Sequence, residues 1–491
     1  MKPWKWIGLA VAAGLLILIS FMGFRAVNVL SLQPAGGPQP AFPVDTALAC
    51  QRLSAAVRIP TVNTGEGPNS PDSRELLRFH QFLKETFPLV HHFLKWEAIG
   101  GKSLLYEWPG RIPDRPPLLF AAHMDVVPID PKSEGQWKFP PFSGTIAEGF
   151  IWGRGTLDDK HCLLALLEAA ELLLKKGFQP AQTIYFAFGH DEESGGVYGA
   201  RQIAETLKSR GARLEAVIDE GMVIMEGGIP GIEIPVALVG IAEKGYVSFD
   251  LTVRVPGGHS SNPAFENAIG ILAKAVARIG DNPFPAEISA PVRLMLDYLA
   301  PEARYPEKLV FTNLWLFEPI LKRMLLRRPE SAALLRTTSV ATMFQAGVKE
   351  NVIPEQASAV VNLRLAPGDS VKAAQERLSR IIGDSRVQIL PREESKVEPS
   401  KVSSPGSRIF PILGRTARSL FPGTVVAPTL FIAATDTRHY GPLTESVFRF
   451  IPMVMKPEDI RRTHGVNERL GVENYGRIIK YYAGVIREAT R

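Results

Sequence analysis

The chain has 491 residues, 45% hydrophobic and 22% charged, with a mean hydropathy of +0.03. That balance excludes a disordered chain, a collagen and a many-span membrane protein, and the length leaves room for about three domains. Net charge is +6, but the basic residues are scattered, which argues against nucleic-acid binding; two cysteines, Cys50 and Cys162, cannot build a disulfide framework.

In chain order, the first feature is Trp6 to Phe24, an uncharged and mostly apolar run of 19 residues. As a helix it reaches about 28 Å, against a hydrocarbon core of about 30 Å. Lys2 and Lys5 precede the run and Arg25 follows it. Positive charge ahead of the run predicts a cytoplasmic N-terminus and an extracytoplasmic body, whether periplasmic, lumenal or extracellular. A cleaved signal peptide is the competing reading, but its apolar core is usually about 7–15 residues and no clean cleavage site follows. Residues 1–30 therefore read as a cytoplasmic tip and single-pass anchor. Residues 31–44, rich in Pro and Gly from Gln33 to Pro43, read as a linker.

From residue 45 to 243, short apolar runs alternate with longer amphipathic ones. Leu118–Ala122, Thr183–Phe188 and Ala216–Ile218 read as buried strands; Leu163–Lys176 and Tyr198–Ser209 read as helices. The alternation predicts an α/β domain with a mostly parallel sheet flanked by helices. The pattern changes over 244–403. Tyr246–Val255 alternates as a half-exposed strand, followed by a helix over Ala264–Arg278, strands at Ser339–Phe344 and Ala359–Leu365, a helix over Ser370–Ile382 and a strand at Val387–Leu390. This β-α-β-β-α-β order is the ferredoxin-like, split βαβ pattern. An insertion of about 281–336 interrupts it and carries the basic apolar stretch Ile320–Arg328. That stretch reads as an amphipathic surface or packing helix, or alternatively as a contact with the membrane or a lid over an apolar substrate. Residues 404–491 return to the α/β pattern, with a strand at Val447–Val454 and a helix over Glu473–Glu488, so the small domain is inserted into the large one.

Five segments carry the chemistry. His123 and Asp125 end one strand, Asp158 and Asp159 sit in a Gly-containing loop before a helix, and Glu192 and Glu193 end another strand. Asp219 ends a third, and His464 follows a late one. Ligand sites in open α/β sheets gather beyond the carboxyl ends of strands. Two histidines with three carboxylates suit a pair of zinc ions, one carboxylate bridging metals about 3.5–4 Å apart. A further carboxylate is then needed as general base, and Glu192 and Glu193 can divide those roles. Asp125, two residues from His123, leaves the strand on the same face and can fix the imidazole's orientation.

Together these segments resemble the co-catalytic zinc exopeptidases and amidohydrolases of peptidase family M20, which include carboxypeptidase G, aminoacylase-1, acetylornithine deacetylase and succinyl-diaminopimelate desuccinylase. The similarity is greatest to the carboxypeptidase S branch with its N-fatty-acyl-amino-acid hydrolase/synthase relatives. It rests on GHDEESGG at Gly189–Gly196, VIDEG at Val217–Gly221, NLWLF at Asn313–Phe317, the Arg336–Pro354 stretch and TDTRHY at Thr435–Tyr440. The resemblance implies a zinc-binding α/β domain with an inserted lid or dimerisation domain, and two Zn2+ per subunit, with Co2+ or Mn2+ as substitutes. It implies that Asp158 bridges the zincs, that His123 and Asp219 complete one site, and that Glu193 and His464 complete the other. Glu192 would be the general base, Asp125 would orient His123, and Asp159 would act structurally at a cis peptide. In the lid, His259 would stabilise the oxyanion, reaching across a homodimer, while Asn351 and Arg364 would hold the substrate carboxylate.

The implied reaction is hydrolysis of the amide bond next to a free carboxylate, as a carboxypeptidase or N-acyl-amino-acid amidohydrolase. N-fatty-acyl-amino-acid synthesis and hydrolysis is the alternative within the class. Ala433 and Ala434 stand where relatives usually have glycines, which bears on side-chain specificity. Two rivals lie outside the class. A serine hydrolase lacks its G-x-S-x-G elbow here. A silent membrane-anchored binding protein would not need the full ligand set and Glu192.

Overall fold

The computed structural model describes residues 3–37, 42–65 and 72–491. Lys2, the Lys5 side chain and residues 38–41 of the expected linker lie outside the described residues.

The leading apolar run lies in one helix, Pro3–Asn28, and over Trp6–Phe24 its side chains are apolar all round and mostly exposed. The chain after it is not a free spacer. Gln33 pairs through its amide with both the N–H and the carbonyl of Val426, at 2.6 and 2.9 Å.

The large sheet has eight strands. Their order is Lys95–Ile99, Ser103–Trp108, Ile184–Gly189, Leu118–His123, Ala216–Met225, Val447–Met455, Val236–Glu243, Val425–Phe431. Its centre is parallel, because helices Lys160–Lys175 and Ala200–Ser209 return the chain over opposite faces. Along Leu118–His123, Leu118 and Phe120 enter one core while Leu119 and Ala121 enter the other, so both faces are dry and the strand reads as continuously apolar. The sheet is mixed, not mostly parallel. Residues 100–102 and 226–235 are too short to form crossovers, which need about a dozen residues, so the strands they join run antiparallel.

A second sheet has four antiparallel strands in the order Thr338–Ala346, Gln356–Leu365, Gly245–Arg254, Val387–Pro391. Helices Ala268–Asp281 and Val371–Ile382 cover one face and share a core with Val247, Phe249, Leu251 and Val253. Ser370 caps the second helix, and Gly383 ends it in the left-handed conformation at φ 59°. The helices of the insertion, Ala290–Leu299, Glu307–Thr312, Leu314–Leu325 and Pro329–Leu335, interrupt this unit in sequence but pack on the large sheet. Val292, Leu296, Phe311 and Leu321 share a core there with Val236, Leu238, Val425 and Leu430. The expected basic helix over Ile320–Arg328 is split, ending at Leu325 before a new helix starts at Pro329.

Candidate metal centre

Asp158 lies at the middle of the site. It follows Gly-containing residues 153–157 and precedes helix Lys160–Lys175, and the Asp158–Asp159 peptide is cis, as expected. Its two carboxylate oxygens face different partners. Oδ1 is 2.8 Å from His123 Nε2, and Oδ2 is 2.9 Å from His464 Nε2. Glu193 Oε1 stands 3.3 Å from the same His464 nitrogen. The third carboxylate beside His123 belongs to Glu220, at 3.5 Å from Nε2. Two groups result, His123–Asp158–Glu220 and Asp158–Glu193–His464, sharing Asp158.

The carboxylate of this strand that lies within 3.5 Å of His123 Nε2 is that of Glu220 rather than the expected Asp219. Asp219 is buried; its Oδ1 accepts from the Glu220 backbone N–H at 2.9 Å, and its Oδ2 is buried without a hydrogen-bond partner. The strand bulges at this point. Asp219 pairs with Arg449 and Met222 with Phe450, so Glu220 and Gly221 have no partners in that pairing. Gly221 has φ 134°, which favours glycine. A bulge re-aims the side chain it carries, and here it turns Glu220 toward His123.

Asp125 sits beneath both groups, fully buried. Its Oδ1 is 3.3 Å from His123 Nδ1 and accepts from the Glu192 N–H at 3.2 Å. Its Oδ2 accepts from the Glu193 N–H at 3.1 Å and from Asn63 Nδ2 at 2.7 Å. The Asp125 backbone carbonyl takes the His123 Nδ1–H at 3.0 Å, while the carboxylate beside it holds the short turn Glu192–Ser194. Asp159 accepts from the His123 N–H at 3.3 Å, a structural contact. Glu192 is half-buried, and among the described residues its carboxylate makes no hydrogen bond or ion pair. Burial pushes its carboxyl well above the ordinary range; His123 opposes this, while Asp436, Glu220 and Glu193 add to it.

Two further groups support the site, of which the first was not visible in sequence. Glu468 accepts from the N–H groups of Gly155 and Leu157 at 2.9 and 2.7 Å and pairs with Arg154, which donates to the His464 carbonyl at 3.0 Å. The loops carrying Asp158 and His464 are thus tied by one buried pair. The motif at Thr435–Tyr440 backs the other loop. His439 Nε2 lies 2.9 Å from the Gly195 carbonyl, and a Cβ on Gly196, at φ 66°, would strike Asp436.

The smaller sheet holds the remaining residues. His259 is exposed on a short two-stranded ribbon, paired antiparallel with Val352, and Asn351 adjoins the second strand, its carbonyl accepting from the Ser260 N–H at 3.2 Å. Neither side chain touches the Asp158 groups among the described residues. Arg364 stacks 4.6 Å over the Tyr246 ring and is close enough to Glu192 and Glu243 for their charges to act on it.

The donor set fits a pair of divalent cations. Four ligands around zinc at about 2.0–2.1 Å stand about 3.3 Å apart, close to the distances here. Asp158, Glu193 and Glu220 crowd two imidazoles, and Glu193 Oε1 is buried without a hydrogen-bond partner. Cations held between carboxylates this close would relieve their mutual repulsion.

Residues 119–488 match the model of Peptidase family M20/M25/M40. A probable carboxypeptidase S-like protein of Dictyostelium discoideum is 44% identical, over 90% of this chain and 85% of its own. An N-fatty-acyl-amino acid synthase/hydrolase of Xenopus tropicalis is 38% identical, over 100% and 97%. The crystal structure of an M20 family metallo-carboxypeptidase from Sulfolobus solfataricus shares the fold with a TM-score of 0.66, at 21% identity over 89% of this chain and 98% of that one. The chain belongs to peptidase family M20/M25/M40 and is a hydrolase of peptide or linear amide bonds.

Proposed function

We propose that the protein hydrolyses the amide bond next to a free carboxylate, in N-acyl amino acids or C-terminal residues of short peptides, with two zinc ions per subunit. The supporting observation is that the two oxygens of Asp158 face separate His–carboxylate pairs. His123, Asp158 and Glu220 would hold one ion, and Asp158, Glu193 and His464 the other. Two divalent cations held there would supply Lewis-acid polarisation of the scissile carbonyl and would lower the pKa of the attacking water from about 15.7 toward about 7.

The protein's own groups do the rest. Glu192, raised by burial and unpaired, takes the proton from the attacking water as its oxygen adds to the carbonyl carbon. It returns that proton to the amine nitrogen as the C–N bond breaks. His259 Nδ1 accepts from the Ser261 N–H at 3.1 Å, which leaves Nε2 to carry the proton, and that N–H would donate to the oxyanion once brought to the site. Arg364 and Asn351 would grip the substrate carboxylate, the planar guanidinium matching it in a two-pronged contact. Residues 244–403 would act as the lid and dimerisation unit, inserted between catalytic parts 45–243 and 404–491. Helix Pro3–Asn28 would span a membrane once, with the N-terminus cytoplasmic and the body outside.

The test uses the full chain in detergent with zinc, reading amino-acid release by mass spectrometry from blocked dipeptides and from N-acyl amino acids of rising chain length. Glu192→Gln should cut turnover by about 10²–10⁴-fold and keep both zinc equivalents. Loss of zinc together with activity would make Glu192 a ligand rather than the base. Preference for long acyl chains selects the fatty-acyl reading; preference for dipeptides selects the carboxypeptidase.

A further inference from the structure

We propose that helix Leu314–Leu325 is a second membrane-contacting element, lying in the headgroup region of the bilayer that Pro3–Asn28 crosses, against lipid with anionic headgroups. The inference rests on reading Pro3–Asn28 as a span.

The first observation is the helix's outer face. Residues 315, 316, 319, 320, 323 and 324 are exposed, a spacing that forms one stripe along a helix. Trp315, Leu316, Ile320 and Met324 are 54, 40, 55 and 54% exposed, while Leu314 and Leu321 on the inner face are buried. A stripe that sets Trp, Leu, Ile and Met side by side in water lacks its partner.

The second is charge. Arg323 lies in the stripe, and exposed Arg327 and Arg328 follow its end. The helix's one acidic residue, Glu318, is already engaged by Arg293 and Lys322, at 3.0 and 3.1 Å. An apolar face with basic residues at its margin matches the region between acyl chains and anionic headgroups.

The third is depth, and it selects the bilayer over a protein partner. This insertion is packed on the end of the anchor. Met22 and Ala26 are buried, Asn313 Nδ2 donates to the Met22 carbonyl at 3.3 Å, and the rings of Phe21 and Trp315 meet edge-on at 6.3 Å. Arg25 is the first charge after Trp6 and marks where the span leaves hydrocarbon. Phe21 lies four residues earlier, about 6 Å deeper at 1.5 Å per residue. Trp315 is therefore about one helical turn inside the plane of Arg25, in the belt where tryptophans gather. The NLWLF motif, which the chemistry leaves unused, holds this junction: Asn313 accepts from Trp315 Nε1 at 3.3 Å while it donates to the anchor.

The test places nitroxide labels in the full chain, reconstituted in phosphatidylcholine vesicles with and without phosphatidylglycerol. Native Cys50 and Cys162 are buried, and the unsubstituted chain supplies the background. Ile320→Cys is compared with Ile17→Cys in the anchor and Lys372→Cys on the smaller unit. Position 320 should, like 17, be more accessible to oxygen than to a nickel chelate, with the reverse at 372. A lipid-exposed 17 with an aqueous 320 overturns the inference and leaves the span standing. An aqueous 17 removes the span and the inference with it. Phosphatidylglycerol should deepen position 320, and that dependence should vanish when Arg323→Gln, Arg327→Gln and Arg328→Gln are combined. No lipid dependence in the parent overturns the anionic assignment.

Discussion

Asp125 accepts from four groups at once: the His123 imidazole through its backbone carbonyl at 3.0 Å, and the Asn63 amide and the N–H groups of Glu192 and Glu193 through its carboxylate. Asp125→Asn keeps its size but turns one acceptor into a donor, so a buried N–H loses its partner at a cost of about 1–3 kcal/mol. Because this carboxylate holds the turn and lies 3.3 Å from the imidazole, zinc affinity and turnover should each fall about 10–100-fold, read by activity in zinc buffers. A sharper test concerns the neighbours Asp219 and Glu220. Glu220→Gln should bind one zinc equivalent fewer by elemental analysis, whereas Asp219→Asn should retain two. The opposite result would return the ligand role to Asp219. An Asp-Glu pair at a strand end gives no periodic signal to choose between its members. The choice is made by a bulge, which depends on pairing with Val447–Met455, more than 200 residues away. Asn63 was equally silent, being a loop residue outside every motif, whereas His123, Asp158 and Glu193 each stood in a segment whose chemistry could be read locally.

At the scale of elements, the site depends on loops held by one ion pair. Glu468 and Arg154 are both buried, and their partners are the backbones on either side of Asp158 and His464. Glu468→Ala leaves the buried Arg154 charge without its counter-ion and two N–H groups without an acceptor, and should cost about 3–5 kcal/mol. It should lower the guanidinium midpoint of unfolding and weaken zinc at the His464 group more than at the His123 group. A variant with an unchanged midpoint and full zinc would show that the loops hold themselves. The strands that were legible, such as Leu118–His123 and Ile184–Gly189, are apolar on both faces and bounded by turns. The hairpin Lys95–Trp108 was missed because Lys95 and Glu97 break its apolar run at a sheet edge, where exposure is tolerated. Missing that hairpin, and the strand Val236–Glu243, is what made the sheet read as mostly parallel.

At the scale of the whole molecule, the smaller sheet leaves strand Thr338–Ala346 as an edge, paired on one side with Gln356–Leu365. Val340, Met343 and Phe344 on it are 57, 48 and 46% exposed. An apolar edge of this length invites a second chain, and natural edges avoid that pairing by carrying charge. We expect a homodimer in detergent by light scattering, and a monomer when Val340→Lys and Phe344→Lys are combined, since two lysines on each chain would meet across a two-fold interface. The activity of that monomer carries the greater information. His259 touches none of the Asp158 groups within its own chain, so a donor to the oxyanion would have to come from the partner or from movement of the small sheet. If it comes from the partner, the monomer should keep both zinc equivalents and lose about 10²–10³ in turnover, the usual worth of one such donor. Mixing it with Glu192→Gln protein should not rescue turnover unless the mixed dimer forms, which light scattering reports. A monomer with full turnover would mean that His259 serves its own subunit, and that closure of the small sheet, not dimerisation, completes the site.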